Sequence, residues 1–490
     1  MTKFGYENSS PLSLLKAADV KNIHQTALKI LSEIGVLFEN GEALEILATA
    51  GCDVDFDSKI VKYDEKIVLD AIEKSPEHFA LYDREGVNKI VVGGSNTEIT
   101  PTFSASNILL SQDGDIRPAV VRDMKDIINL TNQIEEYHLM IPAVVCSDIP
   151  PEHGDYYRDY LMLKYSSLPM ATEAWSIESL HRLFKLLVAV RGTEEELAEK
   201  PLTIVGLCPM APLTWSNEAS QNVINAARCG IPVNICACPM LGSGSSVTVA
   251  GAVAQQAAEF LSGLVLMQTV KPGAPAVFGG YSTSMDMKTM TASVAAMEAV
   301  MAVAAHAAMA KFYGVPSQTF AECSEAKTPD FQSGWETAMT GLVAAASGIN
   351  LIYGCGSLDY LMEFSYEKFL IDAEIAKYLY FLHRGVAVDE NTLAFDTVKE
   401  VGPNNSFMMS MHTMMNFRNA QCYPAKFIDR NKRGAWESNN RLNVVDAAKP
   451  FLTEMLEKDA LQPADKKISS ALDNVIKELN DKNGTDLPLA

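Results

Sequence analysis

Cysteine, methionine, aromatic and acidic residues recur just after short apolar runs in this chain. The stretch 348–374 shows the pattern most fully, because a buried run ends at Gly354 and Gly356 before a helix that Ser365 can cap. The loop between run and helix carries Cys355, Asp359, Tyr360, Met362, Glu363 and Phe364. Exposing such a loop to water is costly, so we predict that it lines a pocket.

Residues of the same kinds follow the other apolar runs. They are Cys146, Asp148, Glu173, Trp175, Cys208, Met210, Cys238, Met240, Tyr281, Glu322, Cys323, Tyr353, Cys355 and the segment 408–412. The set holds no obvious nucleophile with its base, and no cluster of basic residues for a phosphate. It predicts a pocket for a large apolar molecule or for a cation.

These positions require a scaffold that brings many strand ends together. From about residue 139, short apolar runs alternate with helical patterns, which favours parallel strands joined by helices. About eight such units predict an α/β fold built on a closed (β/α)8 barrel, with an open doubly wound sheet as the alternative. The predicted strands span 141–147, 168–172, 202–207, 232–237, 274–278, 317–320, 349–353 and 406–409. The predicted helices span 156–165, 177–190, 217–229, 247–270, 289–313, 331–347 and 365–383.

The remaining segments are expected to surround this barrel. Residues 1–138 are predicted to form an accessory region of helices and short strands, one of them over 98–103. The barrel then occupies residues 139–436, and residues 437–490 form a charged helical tail. Long apolar helices also predict a homo-oligomer.

Composition narrows the class of protein. The 490 residues carry a formal net charge of −21, which disfavours nucleic acid and anionic membranes as partners. The nine cysteines are scattered and odd in number, so we expect reduced thiols in a cytoplasmic protein rather than a disulfide framework. The segments 247–270 and 289–313 contain charged and polar residues, and we predict buried helices rather than membrane spans.

Four stretches resemble the trimethylamine methyltransferase family. They are 23–55, 241–280, 353–375 (YGCGSLDYLMEFSYEKFLIDAEI) and 401–430 (VGPNNSFMMSMHTMMNFRNAQCYPAKFIDR). The resemblance covers nearly the whole chain. It implies a barrel enzyme that transfers a methyl group from a methylated amine to the cobalt of a separate corrinoid protein, with no cofactor held tightly by this chain.

The archetype of that family carries the rare amino acid pyrrolysine, whereas this sequence contains only standard residues. Family members without pyrrolysine are associated with quaternary amines, so the resemblance implies glycine betaine, proline betaine, carnitine or a similar substrate. A quaternary nitrogen is already positive and leaves as a neutral amine without receiving a proton. The lack of an obvious acid–base couple agrees with such a substrate, and catalysis is expected to depend on positioning and electrostatics.

Aromatic faces are the groups expected to hold a quaternary ammonium, each contributing about 0.5–2 kcal/mol. The candidates are Trp175, Tyr281, Phe320, Tyr353, Tyr360 and Phe364, any of which can instead be an ordinary core aromatic. Glu173, Glu322 and Glu363 are candidates for charge compensation, with structural pairing as the alternative.

A carboxylate on the substrate would need a donor. His412, Lys327 and Arg418 are candidates, and we favour His412 because its segment resembles the family, although it can instead be a structural histidine. Gly242, Ser243 and Gly244 precede a long helix, so their amides are candidates for contact with the carboxylate or the corrinoid. The alternative is a flexible loop whose serine caps the helix.

Cys236 and Cys238 face the same side of a strand but lack the spacing of a zinc site, so we predict buried thiols and no metal. Two other functions stay open: a zinc-dependent corrinoid methyltransferase acting on a neutral donor, and a non-catalytic betaine- or corrinoid-binding protein. For the methyltransferase, we expect the corrinoid protein to dock over the barrel mouth, on the N-terminal region or the segment 402–436.

Overall fold

Parallel strands that alternate with helices form the centre of the protein. The computed structural model describes residues 12–110, 112–280 and 282–489. The central strands are β1 (Glu98–Pro101), β2 (Met170–Glu173), β3 (Thr203–Leu207), β4 (Val233–Cys236), β5 (Ala276–Gly279), β6 (Gln318–Phe320) and β7 (Leu351–Cys355). The helices between and after them are α1 (Gly154–Tyr165), α2 (Ile177–Arg191), α3 (Asn217–Cys229), α4 (Val249–Val270), α5 (Met297–Tyr313), α6 (Phe331–Ser347) and α7 (Tyr366–His383). The predicted α/β alternation is confirmed.

The parallel pairings connect these strands in a cycle. Strands β2, β3, β4 and β5 pair in that order, and β6, β7 and β1 pair in a second sheet. Phe278 of β5 bridges to Ser317 at the start of β6. On the other side, the segment 140–145 bridges in parallel to Ala105, beyond β1, and to Met170 of β2. Because Pro142 has no amide hydrogen to donate, this segment makes isolated bridges instead of a continuous ladder.

One predicted strand is wrong. Residues 406–409 form turns, and the side chains of Met408 and Met409 are 79% and 84% exposed. The chain's first central strand is instead β1, which is buried and pairs with β7, although the sequence placed it in the accessory region. A short strand is stabilised by its neighbours more than by its own pattern, so sequence alone did not place it. The division of the chain at 138 and 436 stays a prediction.

The other elements surround the central strands. Further helices span Ala17–Lys29, Ile30–Ile34, Gly41–Thr49, Glu65–Lys74, Val121–Thr131, Pro151–His153, Glu194–Glu199, Glu390–Leu393, Phe395–Val401, Met411–Ala420, Arg433–Ser438, Val444–Glu457 and Lys466–Asn483. Further strands span Val36–Phe38, Asp53–Asp55, Ile60–Lys62, His78–Tyr82, Lys89–Gly93, Asn107–Leu109, Ile116–Pro118, Thr214–Trp215, Ser284–Asp286, Thr291–Ser293, Ser357–Leu358 and Glu363–Phe364. The helices Ala17–Lys29, Gly41–Thr49 and Glu65–Lys74 pack on α4, while the last two helices of the tail pack on α7 and α2.

Helix α4 is the most apolar of the long helices. In the described part of the chain it alone is long and apolar enough to cross a membrane, with a mean hydropathy of 1.3 over its best window, and 78% of that window is buried. Its side chains therefore contact protein. Gly263 on this helix faces the ring of Trp215, which is fully buried and donates from Nε1 to Ser262 Oγ at 2.9 Å. A Cβ at Gly263 would lie 2.4 Å from that ring.

We predict that Gly263→Ala destabilises the protein. The added methyl group must displace a buried ring, at a cost of about 1–3 kcal/mol, which outweighs the roughly 1 kcal/mol that alanine gains over glycine in a helix. Gly334→Ala is the matched control, because Gly334 is also helical and has no atom within 4 Å of an added Cβ. Urea unfolding should show a lower midpoint for Gly263→Ala and an unchanged or higher midpoint for Gly334→Ala. Equal midpoints for the two variants would contradict the packing argument.

Candidate functional site

A cavity of about 310 Å³ lies at the carboxyl ends of the central strands. Parallel pairing brings these strand ends to one side, so short segments far apart in sequence share one wall. The lining residues are Phe103, Ser104, Ala171, Thr172, Glu173, Ile204, Gly206, Cys208, Asn234, Cys236, Cys238, Phe320, Tyr353, Tyr360, Leu361 and Met362. Most of this lining is apolar, and Glu173 is the charged member.

Three aromatic rings form one wall of the cavity. The centroids of Phe320 and Tyr353 are 5.8 Å apart at an interplanar angle of 89°. Phe103 stacks on Tyr353 at 6.3 Å and 23°, and it meets Phe320 edge-on at 6.5 Å and 75°. These rings come from β6, β7 and the segment after β1. They present faces in different directions around one space, which is the arrangement that holds a cation by its ring contacts.

Burial keeps the hydroxyl of Tyr353 protonated. Its side chain is 3% exposed, and its hydroxyl has no hydrogen-bond partner among the described residues. Burial raises the pKa of the Tyr353 hydroxyl well above its ordinary value, so the phenol stays neutral. The residue therefore contributes its ring to the wall and no charge.

The loop after β7 closes the cavity on another side. Asp359, Tyr360 and Leu361 all have positive φ, at 44°, 56° and 68°, a conformation that is costly for residues with a Cβ. Lys327 Nζ holds Asp359 with an ion pair of 2.5 Å, next to Tyr360 in the lining. The loop thus keeps a strained backbone in place to bring Tyr360 and Met362 to the cavity.

Glu173, at the end of β2, is the acidic group of the lining. Its Oε1 accepts a hydrogen bond from Ser104 Oγ at 2.8 Å and pairs with Arg158 Nη2 at 3.4 Å. Arg158 lies behind the wall at 1% exposure, with its guanidinium 5.0 Å from the Trp175 ring centre. Its Nε and Nη1 also donate to the backbone oxygens of Gly154 and Val144. These contacts hold the Glu173 carboxylate in one position at the cavity surface.

Two further acidic groups lie on α1 behind the same wall. Asp159 is buried and accepts a hydrogen bond from Thr172 Oγ1 at 2.6 Å. Burial raises the pKa of Asp159 to about 8, with the nearby Asp155 adding to the effect. Asp155 is also buried.

Thiols occupy the wall formed by β3 and β4. Cys236 and Cys238 are 3.7 Å apart at their Sγ atoms, and Cys238 Sγ lies 3.4 Å from the Cys236 carbonyl oxygen. Hydrogen bonding to Cys208 and Cys238, together with burial, raises the pKa of the Cys236 thiol well above its ordinary value. Throughout the described ranges, no group of three or more His, Cys, Asp or Glu residues is arranged to hold a metal ion. Cys236 is therefore a neutral thiol, and Cys208 and Cys238 lie beside it in the lining.

The structure brings together four of the predicted site residues and separates others from them. Phe320, Tyr353, Tyr360 and Glu173 line the cavity. Trp175 does not, because its ring covers the Arg158 guanidinium instead. Phe364 is fully buried and packs against Tyr366 and Phe369. Tyr281 lies outside the described residues.

The other two predicted glutamates are buried beside the cavity without lining it. Glu322 accepts a hydrogen bond from Cys355 Sγ at 2.8 Å, and burial raises the pKa of its carboxyl to about 8. Glu363 lies in a short strand behind the loop, where burial and the nearby Asp359 raise the pKa of its carboxyl. Both were candidates for charge compensation with structural pairing as the other interpretation, and neither reaches the cavity lining.

None of the predicted donors for a substrate carboxylate lines the cavity either. His412 lies on the helix Met411–Ala420, where its Nε2 contacts Asn391 O at 2.8 Å. Lys327 pairs with Asp359, and Arg418 covers the ring of Phe417. Gly242, Ser243 and Gly244 form a turn that is separate from the helix start, since α4 begins only at Val249.

Sequence reasoning did not place Phe103 and Asn234 in the cavity lining. Phe103 follows β1, which the sequence assigned to the accessory region, so its ring was not counted with the others. Asn234 lies inside β4, where alternation along the strand points it inward, and its Nδ2 donates to Gln318 Oε1 at 3.0 Å. Because side chains alternate along a strand, Asn234 lies on the same face of β4 as Cys236, two residues later, and this spacing could have predicted it.

Comparison with known proteins gives one consistent family. Residues 3–484 match the family model described as trimethylamine methyltransferase (MTTB). Trimethylamine methyltransferase MttB of Desulfitobacterium hafniense is 32% identical, with 94% of this chain and 93% of that protein covered. The Methanosarcina barkeri MttB is 31% identical with 96% of each chain covered.

The chain is also similar to a glycine betaine methyltransferase and to a solved monomethylamine methyltransferase. A glycine betaine methyltransferase of D. hafniense is 30% identical over 86% of this chain and 88% of its own length. The solved monomethylamine methyltransferase (MtmB) of M. barkeri covers 97% of this chain and 96% of its own, at 12% identity and a TM-score of 0.49. That TM-score is too low to support an argument about the fold.

The raised pKa of Glu322 predicts a pH-dependent stability. Between 4.5, the ordinary value, and about 8, the unfolded chain releases a proton that the folded protein retains, so the free energy of unfolding falls as the pH rises. Glu322→Gln keeps an acceptor for Cys355 and cannot ionise, so it should flatten part of this fall. Asp159, with a pKa of about 8, and Glu259, with a pKa of about 7, contribute in the same direction. Urea unfolding at several pH values measures the slope. The exposed control Glu45→Gln should keep the wild-type slope, and an unchanged slope in Glu322→Gln would refute the assignment.

Proposed function

This chain belongs to the trimethylamine methyltransferase family, and from that membership we propose that it is a methyltransferase that moves a methyl group from a quaternary amine to Co(I) of a cognate corrinoid protein. The observation that carries the proposal is the cavity wall of Phe103, Phe320 and Tyr353. Three ring faces around an apolar space attract a permanent cation that water solvates poorly. One relative of similar identity is a glycine betaine methyltransferase, which agrees with a quaternary amine as the substrate.

The lining also fits the chemistry of the leaving group. The transfer breaks one C–N bond, the electron pair stays on nitrogen, and the amine leaves neutral while the methyl group passes to cobalt. No proton is delivered in this step, and the lining includes no histidine, lysine or arginine among the described residues. The corrinoid, as the methyl acceptor carried by the partner, supplies the cobalt nucleophile.

The residues of this chain act by binding and orientation. The rings of Tyr353 and Phe320 hold the ammonium methyl groups in van der Waals contact, and Glu173 balances the positive charge. Fixing the cation at one place under the cavity mouth converts the encounter with the acceptor into an oriented reaction. Met362, which lines the cavity and is 46% exposed, lies where the cavity meets solvent and supports an opening for the acceptor.

The architecture and partners are part of the proposal. The cycle of eight parallel segments supports a (β/α)8 barrel with an accessory region before it and a helical tail after it. The exposed apolar residues of the segment 402–436, among them Met408, Met409 and Met415, support an interface for the corrinoid protein or for a second copy of the chain in a homo-oligomer. A cytoplasmic location stays a prediction.

Two other functions are less well supported. A zinc-dependent methyltransferase requires a ligand set, and the described residues offer no group of three or more suitable side chains. A non-catalytic binding protein is disfavoured by the relatives, which are named methyltransferases. Metal analysis of the purified protein addresses the first, and the methyl-transfer assay below addresses the second.

We predict methyl transfer to a Co(I) corrinoid from quaternary amines and little or none from trimethylamine. The purified chain is mixed with the corrinoid protein, reduced to Co(I), and with tetramethylammonium, choline, glycine betaine, proline betaine, carnitine or trimethylamine in turn. The absorbance change of methylcobalt formation measures the transfer. Faster transfer from trimethylamine than from every quaternary amine, or no transfer from any, would overturn the proposal.

Tyr353→Leu should weaken binding of a quaternary ammonium by a factor on the order of 2–30, because one ring face is lost at about 0.5–2 kcal/mol. Tyr353→Phe keeps the ring and loses only a hydroxyl that has no partner in the described structure, so its affinity should stay close to wild type. Phe331→Leu, at an aromatic residue that is 89% exposed outside the cavity, is the second control. Calorimetry with tetramethylammonium measures the affinity. Equal losses in Tyr353→Leu and Phe331→Leu, or an equal loss of affinity for the corrinoid protein, would contradict the cage.

A further inference from the structure

The charges around the cavity are not those that a betaine requires. A betaine carries a cationic nitrogen and a carboxylate only a few bonds away, so its site needs an aromatic or anionic half and a cationic half. Glu173 is the charged residue of the described lining, and it is negative. Among the described residues, Ser104 and Arg158 both contact Oε1 of Glu173, and neither contacts its Oε2. The Glu173 side chain is 28% exposed.

Arg158 is the nearest cation, and its position prevents it from receiving a substrate carboxylate. The side chain is 1% exposed and does not line the cavity. Its Nε donates to Gly154 O at 3.0 Å, its Nη1 donates to Ser104 Oγ and Val144 O at 2.9 and 3.1 Å, and Trp175 covers its face. The guanidinium is thus used to hold Glu173 and the surrounding backbone.

The three cations that the sequence suggested as donors lie outside the described lining. Lys327 is 64% exposed, forms an ion pair with Asp359 at 2.5 Å and donates to Glu325 O at 2.8 Å. His412 and Arg418 lie on the helix Met411–Ala420, outside the lining. Behind the Glu173 wall, α1 carries Asp155 and Asp159, but neither lines the cavity and burial raises the pKa of Asp159 to about 8, so Glu173 is the charged group that faces the cavity from this side.

From these charges we propose that the substrate is a quaternary ammonium whose fourth arm is neutral, of the choline or tetramethylammonium class, and that Glu173 determines this specificity by excluding carboxylated betaines. The proposal rests on the methyl-transfer function above. A carboxylate drawn into this apolar cavity loses its hydration, gains no cationic partner and lies near the Glu173 carboxylate, so both desolvation and like-charge repulsion oppose it. A hydroxyl or methyl arm avoids both costs, while the ammonium keeps its ring contacts and its attraction to Glu173.

Choline and glycine betaine form a matched pair for the test, because both carry the same trimethylammonium group on a short arm and differ in the charge at its end. We expect wild-type kcat/KM for choline to exceed that for glycine betaine by at least about tenfold, given the like-charge cost in a low-dielectric site. Glu173→Gln should reduce this preference by about tenfold or more, mainly by lowering KM for glycine betaine and raising KM for choline. Glu173→Asp keeps the charge and should keep the preference.

Controls separate charge at the site from other effects. Glu218→Gln makes the same change of net charge at an exposed position on α3 and should leave the preference as in wild type. Calorimetric binding of choline and glycine betaine to each variant, without the corrinoid protein, gives a readout that does not depend on turnover. Thermal unfolding checks that Glu173→Gln is folded. If Glu173→Gln is unstable, the test relies on Glu173→Asp, which should keep the preference for choline.

The outcomes distinguish the two proposals. Transfer from no quaternary amine overturns the function itself. Transfer that is faster from glycine betaine than from choline in the wild type, or a preference that Glu173→Gln leaves unchanged, overturns the specificity while the methyl-transfer function stands. A choline preference that collapses in Glu173→Gln and persists in Glu173→Asp and Glu218→Gln supports it.

Discussion

Parallel hydrogen bonding between very short strands is the constraint on which the rest of the structure depends. Strand β6 has three residues and the segment 140–145 makes only isolated bridges, so neither is stable without its neighbours. Parallel pairing places the carboxyl ends of all these strands on the same side of the protein. A ring after β1, a ring on β6 and a ring on β7 therefore meet within about 6 Å of one another although they lie at residues 103, 320 and 353. Helix packing outside, including the N-terminal helices on α4, holds that cycle in place.

The cavity that results has two unlike walls. One consists of aromatic rings, which attract a cation without carrying a charge. The other side combines the cysteine side chains of Cys208, Cys236 and Cys238 with the carboxylate of Glu173. Both the rings and the carboxylate favour a positive group in the space between them, and the buried position of Arg158 keeps its charge behind the wall. The selectivity we infer for the fourth arm follows from this one-sided distribution of charge.

Several carboxyl groups are buried at a cost in stability. Burial raises the pKa of Asp159 and of Glu322 to about 8, and that of Glu259 to about 7. Each remains protonated in the folded protein at neutral pH more readily than in the unfolded chain, so folding loses free energy as the pH rises. Asp159 and Glu322 lie at different places relative to the cavity. Asp159 supports Thr172 in the lining, whereas Glu322 is covered by Cys355 and the close backbone at Gly341.

The sequence by itself determined the alternation of strands and helices, the family, and part of the cavity lining, namely Glu173, Cys208, Cys238, Phe320, Tyr353, Tyr360 and Met362. These follow from local patterns, because an apolar run that ends in a loop places the next residues at a strand end wherever the strand lies. Only the tertiary structure decided that β1 joins the central strands in place of 406–409, and hence that Phe103 completes the wall. It also decided that Trp175 faces Arg158, that Glu322 and Phe364 are buried beside the cavity, and that His412 lies outside it. The physical reason is that strand partners and the direction of a side chain into a cavity or a core depend on contacts between distant segments, which no local pattern encodes.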